Sequence, residues 1–157
     1  MNPTLLALIV CLAAATLEGA LAGSGVRQRL AELRIPRYSP PFTLWIAIGV
    51  AYYAICFVLL RRLLTRPSFT PTIVAAITLL LLILLVNALW NVFFFRWRNL
   101  RASFVIFIPY ALLVISLGVC LFRTDRFRAA LLLGYGLYLV YATCWAYRLW
   151  LLNKAHD

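Results

Sequence analysis

The stretch that decides the fold is PTIVAAITLLLLILLVNALWNVFFF, residues 71–95 of the chain. It contains no charged residue, and leucine, isoleucine, valine and alanine make up most of it. A helix needs about 20 such residues to cross the hydrocarbon core of a bilayer. Backbone polar groups at that depth must find partners within the segment, so the stretch predicts a transmembrane α-helix.

The composition of the whole chain indicates the same environment. Of its 157 residues, 66% are hydrophobic and 12% are charged, which is more apolar surface than a soluble domain of this length could bury. Five apolar runs are long enough to cross a bilayer, near residues 4–25, 42–64, 71–95, 102–122 and 129–152. The sequence therefore predicts an all-α, multi-pass integral membrane protein, in which residues 1–157 form a single bundle of five transmembrane helices.

The first run has one feature of a cleaved signal peptide. Ala20-Leu21-Ala22 resembles a cleavage site. However, no Lys or Arg precedes the apolar run, and Glu18 lies near its end. We therefore interpret the first run as a membrane helix and keep cleavage as an alternative.

The charged residues lie mostly at the ends of the apolar runs. The chain has 15 Lys and Arg residues against four Asp and Glu residues, which gives a net charge of +11. In a soluble protein this balance would suggest nucleic acid, but basic residues at the ends of membrane helices favour anionic lipid headgroups. We expect membrane lipids as partners and no nucleic acid.

The distribution of basic residues also predicts an orientation. Five helices place on one side of the membrane Arg27, Arg29, Arg34, Arg37, Arg96, Arg98, Arg101 and Lys154. The opposite side receives Arg61, Arg62, Arg66, Arg123, Arg126 and Arg128. Because the first set is larger and includes the tail, the positive-inside rule favours a cytoplasmic C-terminus.

Residue types suited to covalent catalysis or metal binding are scarce. The one histidine, His156, lies in the C-terminal tail, so the apolar body has no histidine base or haem ligand. Each of the four cysteines lies singly in an apolar run, and we expect buried small side chains rather than metal ligands. We find no phosphate loop, paired carboxylates or nucleophile–base arrangement. The sequence predicts no catalytic residues, no metal site and no obligatory cofactor.

The first helix carries small residues and one acidic residue. Ala15, Gly19 and Gly23 recur at four-residue spacing, which favours close helix packing, either within the bundle or with a second copy in a homodimer. Glu18 lies inside the apolar run, where a carboxylate is costly unless it is neutral, paired or near water. It either reaches an arginine near the headgroups, such as Arg27, or serves in a polar pocket.

The third helix ends in NALWNVFFF, which places Asn87, Trp90, Asn91 and Phe94 on one face. Two amides in hydrocarbon must find hydrogen-bond partners. Hydrogen bonds between helices would satisfy them. Alternatively, the two amides orient a bound ligand beside the Trp90 ring.

The fifth helix carries an aromatic stripe that includes Tyr135, Tyr138, Tyr141 and Trp145. Tyr138 and Tyr141 lie too deep for an interfacial belt if the helix spans 129–152. Deep tyrosines need partners for their hydroxyls. The stripe is either a packed core or the wall of a cavity for a flat, apolar ligand.

The first connector reads RIPRYSPPFTLW, Arg34–Trp45. Proline fixes its own φ and pushes the preceding residue toward extended geometry, so three prolines in six residues predict a semi-rigid strap. The strap presents Tyr38 and Phe42 and enters the second helix near Trp45. We expect it to act as a lid over a helix-lined cavity, with Arg34 and Arg37 toward headgroups or the acidic groups of a ligand.

Together these features resemble the translocator protein family, also called tryptophan-rich sensory or peripheral-type benzodiazepine-receptor-like proteins. Its members have five transmembrane helices and a first loop similar to K-P-x-W-x-P-P-x-W-x-F. The loop of this chain matches at Pro36, Pro40 and Pro41. Tyr38 occupies the place of the first tryptophan of that motif, and Trp45 occupies the place of its phenylalanine.

The resemblance continues through the second, third and fifth helices. Tyr53 matches a tyrosine of the second helix. The third helix is similar to N-x-x-W-[ST]-P-x-F-F and matches it at Asn87, Trp90, Phe94 and Phe95, with Asn91 at the place of the hydroxyl residue. In the fifth helix, Tyr135 matches the tyrosine of P-Y-x-x-W, and Tyr138 replaces its tryptophan.

The resemblance implies a cavity that binds porphyrins, haem-pathway tetrapyrroles, sterols or similar flat molecules, as a sensor, carrier or regulator. It also implies an alternative, light-dependent porphyrin degradation. The small-residue face of the first helix leaves a further alternative open, a dimeric structural scaffold. The residues expected to bind the ligand are Tyr38, Pro40, Pro41, Phe42, Trp45, Tyr53, Asn87, Trp90, Asn91, Phe94, Tyr135 and Tyr138.

Overall fold

The computed structural model describes residues 2–122 and 126–154, without the side chains of residues 126–129. The described residues form helices and no strand. The helices are α1 (Pro3–Ala22), α2 (Val26–Glu32), α3 (Phe42–Leu64), α4 (Pro71–Asn91), α5 (Leu100–Val105), α6 (Phe107–Phe122) and α7 (Arg126–Asn153). Five helical segments are long and apolar enough to cross a membrane, which confirms the predicted fold class: α1, α3, α4 with its extension to Arg96, α5 with α6, and α7.

Polar residues and prolines set where several helices begin. Asn2, Thr70 and Asn99 each accept a hydrogen bond from a backbone N–H in the first turn of α1, α4 and α5, respectively. Pro3 and Pro71 occupy the first helical position of α1 and α4, where a missing N–H costs nothing. The sequence thus determines these helix starts locally.

The helices differ from the predicted runs at three places. The first helix ends at Ala22, because Gly23 adopts a φ of 74° that favours glycine, and the short helix α2 follows it. The third run ends in a π-helical turn, Val92–Arg96. The fourth run is broken at Ile106, since Pro109 has no N–H to donate to the carbonyl of Val105.

The outer faces of the spanning helices are apolar. On α6, large apolar side chains at helical spacing are each more than half exposed: Ile108, Leu112, Ile115, Val119 and Phe122. A stripe of this kind is expected where a helix faces lipid tails rather than water. On α7, Leu137 and Val140 form a similar stripe, and Cys144 lies on it. The expectation of a buried cysteine is therefore wrong for Cys144.

The bundle has two halves along the helix axes, each defined by the helix ends that lie in it. The helix α4 packs against α1, α3 and α6, and α7 packs against α3, α5 and α6. One half, which we call the loop half, contains the ends of α1, α4 and α7, the start of α3 and the connector 23–41. The opposite half, which we call the far half, is aliphatic: Leu59, Leu63, Leu80, Leu117 and Leu121 are each at most 1% exposed.

The orientation of the two halves in the membrane stays a prediction. Of the residues used for it, Arg123 lies outside the described residues, as do the side chains of Arg126 and Arg128. The C-terminal His156 also lies outside them.

Candidate ligand-binding cavity

A cavity of about 830 Å³ lies in the loop half, between α1, α3, α4, α6 and α7. Nine of the twelve residues expected to bind a ligand line it: Phe42, Trp45, Tyr53, Asn87, Trp90, Asn91, Phe94, Tyr135 and Tyr138. The other three, Tyr38, Pro40 and Pro41, are not among its lining residues. Residues from three separate parts of the sequence are thus brought to one space.

Aromatic rings in contact with one another form much of the wall. The Trp90 and Phe94 rings stack with their centroids 4.7 Å apart, Trp90 near the end of α4 and Phe94 in the π-helical turn that follows it. Trp45 meets Trp145 edge to face at 5.1 Å, and the Trp145 ring lies 6.3 Å from that of Phe94. The Trp90 indole N–H donates to the carbonyl of Ser103 at 3.0 Å, which fixes the ring. This wall therefore offers ring surface rather than polar groups.

A second group of rings, the tyrosines, lies deeper in the bundle. The hydroxyls of Tyr110 and Tyr135 are 2.6 Å apart and hydrogen-bond to each other across α6 and α7. The Tyr52 ring lies 5.4 Å from that of Tyr135, and the Tyr52 hydroxyl is buried without a hydrogen-bond partner among the described residues. Tyr135 and Tyr138 continue the group along α7, with centroids 5.9 Å apart.

Glu18 contributes the negative charge of the cavity wall. Its Oε2 accepts a hydrogen bond from the Tyr53 hydroxyl at 2.6 Å and another from Asn87 Nδ2 at 2.8 Å. These bonds join α1, α3 and α4, so Asn87 forms the interhelical bond that was one expectation for it. The structure favours a pocket position for Glu18 over pairing with an arginine. Sequence reasoning missed its link to Tyr53.

Asn91 behaves differently from Asn87. Its Nδ2 donates to the carbonyls of Asn87 and Ala88, at 3.2 and 3.4 Å, within its own helix. The expectation that this amide would bond to another helix is therefore wrong for its nitrogen. An asparagine side chain can reach a backbone carbonyl three or four residues before it in the same helix, and helical spacing alone does not exclude this.

The cavity opens between α1 and α3. Leu8 and Leu12 on α1, and Ile46 and Val50 on α3, line it and are each at least 45% exposed. Ala15 and Gly19 line it too, and a Cβ added to Gly19 would meet nothing within 4 Å. The small residues of α1 therefore widen this opening and do not serve close packing within the described bundle. Their use by a second copy stays a prediction.

The proline-rich strap, residues 34–41, is hydrogen-bonded to α7. Asn153 accepts from the backbone N–H of Arg34 at 3.0 Å and donates to its carbonyl at 3.1 Å. The Tyr141 hydroxyl donates to the carbonyl of Tyr38 at 3.0 Å, and the Trp145 indole N–H donates to the Ser39 hydroxyl at 2.5 Å. Tyr38 is exposed and packs against Tyr141, which explains why it is absent from the cavity lining.

A comparison with protein-family models places these features in a known group. The model of the TspO/MBR family matches residues 7–151 of the chain. The chain belongs to the TspO/MBR family. This membership confirms the family resemblance seen in the sequence. A search of curated proteins gives no match to the chain.

In this TspO/MBR protein, a basic rim borders the loop half. The Arg27 guanidinium lies 5.2 Å above the Phe42 ring at the start of α3. Arg96 donates to the carbonyls of Ala20 and Leu21, at 2.8 and 3.1 Å, and so caps the C-terminal end of α1. Glu32 pairs with Arg98 at 3.4 Å, which holds α2 against the end of the third span.

Sequence reasoning missed several residues of this TspO/MBR cavity. Phe107 and Tyr110 of α6 and Ala142 of α7 line it, and Asn153 holds the strap. A polar residue at the end of an apolar helix was a usable signal for Asn153. The sequence of α6 does not show whether Tyr110 packs in the core or lines a cavity. Only the structure shows that it lines the cavity.

Proposed function

We propose that this chain is a membrane binding protein for a flat, apolar ligand, such as a tetrapyrrole, a sterol or a similar lipid, and acts as a sensor, carrier or regulator. The observation that carries the proposal is the aromatic cavity of about 830 Å³ in the loop half. Small-molecule sites commonly measure about 300–1,000 Å³ and combine apolar walls with a few placed polar groups. Glu18, Tyr53 and Asn87 supply such polar groups here.

The opening between α1 and α3 supports an entry route from the bilayer. The residues at its edges, such as Leu12 and Val50, are apolar and more than half exposed. A ligand dissolved among lipid tails would reach the aromatic wall through it without crossing water. On binding, the ligand exchanges one apolar environment, the lipid tails, for another, the cavity. Its specificity must therefore come from contacts with the aromatic rings and from the polar groups.

The strap supports the proposal as a lid on the side of the headgroups. Its hydrogen bonds to α7 hold it next to Trp45 and Phe42, where the wall of the cavity begins. Arg27 lies over Phe42 at this edge, so an acidic group of a ligand, such as a propionate, would meet a guanidinium there. The apolar body of the ligand would occupy the space beneath.

Titration with protoporphyrin in detergent, followed by Soret absorbance, tests this function. We expect saturable binding by the wild-type protein. Trp90→Ala should weaken it about tenfold, or ~1.4 kcal/mol, because one face of the wall is lost. The matched control is Trp97→Ala, since Trp97 is 66% exposed, lies seven residues further along and does not line the cavity.

The control separates the cavity from the protein surface. Trp97→Ala should bind protoporphyrin like the wild type, and circular dichroism should show that both variants keep their helices. Equal affinity of the two folded variants, or binding that does not saturate, would refute the cavity as the binding site.

A further inference from the structure

Glu18 is the only charged residue among the described residues that line the cavity. Its two hydrogen-bond donors, the Tyr53 hydroxyl and the Asn87 amide, are both neutral and both reach the same oxygen, Oε2. The hydrogen bonds among the described residues include none to the other oxygen, Oε1. The carboxylate is therefore held in a fixed direction while one of its oxygens stays available to a ligand.

The basic residues of the loop half lie at its rim rather than in its wall. Arg96 is the guanidinium bonded closest to Glu18 along α1, and it donates to the carbonyls of Ala20 and Leu21. Arg27 lies over Phe42. The chain carries a net charge of +11, yet its cavity wall is acidic. An acidic ligand group is thus favoured at the rim and disfavoured beside Glu18.

The surroundings of Glu18 strengthen attraction to a cation. Coulombic interactions are several times stronger in an apolar, partly dehydrated site than in bulk water. Aromatic faces also attract ammonium and other nitrogen cations. The cavity provides such faces on Tyr53, Trp90 and Tyr138, which line the same space as the carboxylate. A carboxylate with aromatic walls is the combination that recognises an alkyl or aryl ammonium group.

We propose that Glu18 forms an amine subsite, so that the cavity prefers flat, apolar ligands that carry a cationic nitrogen. The nitrogen would donate to Oε1, with Tyr53 and Asn87 holding the carboxylate through Oε2. This inference rests on the proposed function, because it requires the cavity to be the ligand site. It goes further by giving the chemical class of ligand that the site selects.

Three probes with one ring skeleton test the amine subsite. Acridine is neutral, 9-aminoacridine is cationic near neutral pH, and acridine-9-carboxylate is anionic. Their fluorescence reports binding to the full chain in a nonionic detergent. We expect the wild-type protein to bind the cation at least tenfold more tightly than acridine, and the carboxylate least tightly.

The variant Glu18→Gln removes the charge and keeps an oxygen that Tyr53 and Asn87 can reach. We expect its ratio of affinities for 9-aminoacridine and acridine to fall at least tenfold, toward one. The matched control is Glu32→Gln, which removes one carboxylate outside the cavity, and its ratio should equal that of the wild type.

The outcomes separate this inference from the function beneath it. Saturable binding of acridine and protoporphyrin by the wild type, without preference for the cation, overturns the amine subsite and leaves the cavity as a ligand site. A preference that persists in Glu18→Gln also overturns it, because the cation would then bind elsewhere. If neither acridine nor protoporphyrin binds saturably, both proposals fail. The wild-type series alone can overturn the inference, even if the variant does not fold.

Discussion

The two halves of the bundle are built from the same helices but differ in how tightly they are packed. In the far half, a gap lined by Leu59, Leu80 and Leu117, among others, measures about 10 Å³, roughly the space of one water molecule. In the loop half, the cavity measures about 830 Å³. The same five helical spans are therefore tightly packed at one end of the bundle and surround a cavity at the other.

The difference follows from the side chains that each half contributes. Leucine and isoleucine have flexible, branched shapes that interlock between neighbouring helices, and small residues such as Ala76 complete the far half. The cavity wall of the loop half combines flat, rigid rings, such as Trp90 and Trp145, with positions that have almost no side chain, such as Gly19 and Gly49. Rings that stack on each other leave the space in front of those positions empty. Hydropathy reports which environment a residue prefers, but residue shape decides whether a bundle encloses space.

The largest expected change in stability is in the far half. Leu117 is fully buried, so Leu117→Ala should lower the free energy of unfolding by about 2–5 kcal/mol through lost contacts and a new void. Thermal unfolding in detergent measures this. Leu112→Ala on the same helix is the control, because Leu112 is 61% exposed and should change stability little. An equal effect of the two variants would show that the far half is not the tightly packed half.

A smaller effect is expected where the strap meets α7. Asn153→Leu removes both hydrogen bonds to the backbone of Arg34, and we expect their combined loss to cost about 1–3 kcal/mol, because both backbone groups are only partly buried. Hydrogen exchange of residues 34–41 should become about tenfold faster or more, and a bound ligand should dissociate faster. Leu152→Ala, at the exposed neighbouring position, should leave exchange unchanged. Unchanged exchange in Asn153→Leu would mean that the strap is held by other contacts.

The sequence determined the spanning helices and only part of the cavity. A bilayer admits only helices and closed β-barrels, and a continuous apolar run such as residues 71–95 lacks the alternation of a barrel strand, so the helix assignment followed from the solvent. Spacing also placed Trp90 and Phe94 on one face, where they stack. The bond from Tyr53 to Glu18 joins residues 35 positions apart, and local pattern holds no information on it.

The structure of the strap was also predicted only in part, but for a different reason. Its prolines correctly indicated a stiff segment, but stiffness does not determine which side of the segment faces the cavity. Hydrogen bonds to three residues of α7 hold the strap with Tyr38 exposed. These residues, Tyr141, Trp145 and Asn153, lie more than 100 positions away in the sequence. Tyr38 therefore matched a family position without lining the cavity.

Filling the empty space of the loop half should have the smallest effect on stability. It also tests most directly whether the aromatic cavity is the ligand site. Gly49 lines the cavity on α3, and a Cβ added there would meet nothing within 4 Å. Gly49→Phe should therefore fold as well as the wild type while its ring occupies the space of the ligand. Gly134→Phe is the matched control, because Gly134 does not line the cavity and a Cβ added there also meets nothing within 4 Å.

Protoporphyrin titration of this pair is the decisive measurement. The account predicts at least tenfold weaker binding by Gly49→Phe and wild-type affinity for Gly134→Phe, with equal thermal stability of both. Wild-type affinity of a folded Gly49→Phe would contradict the account, because the ligand would then bind outside the aromatic cavity.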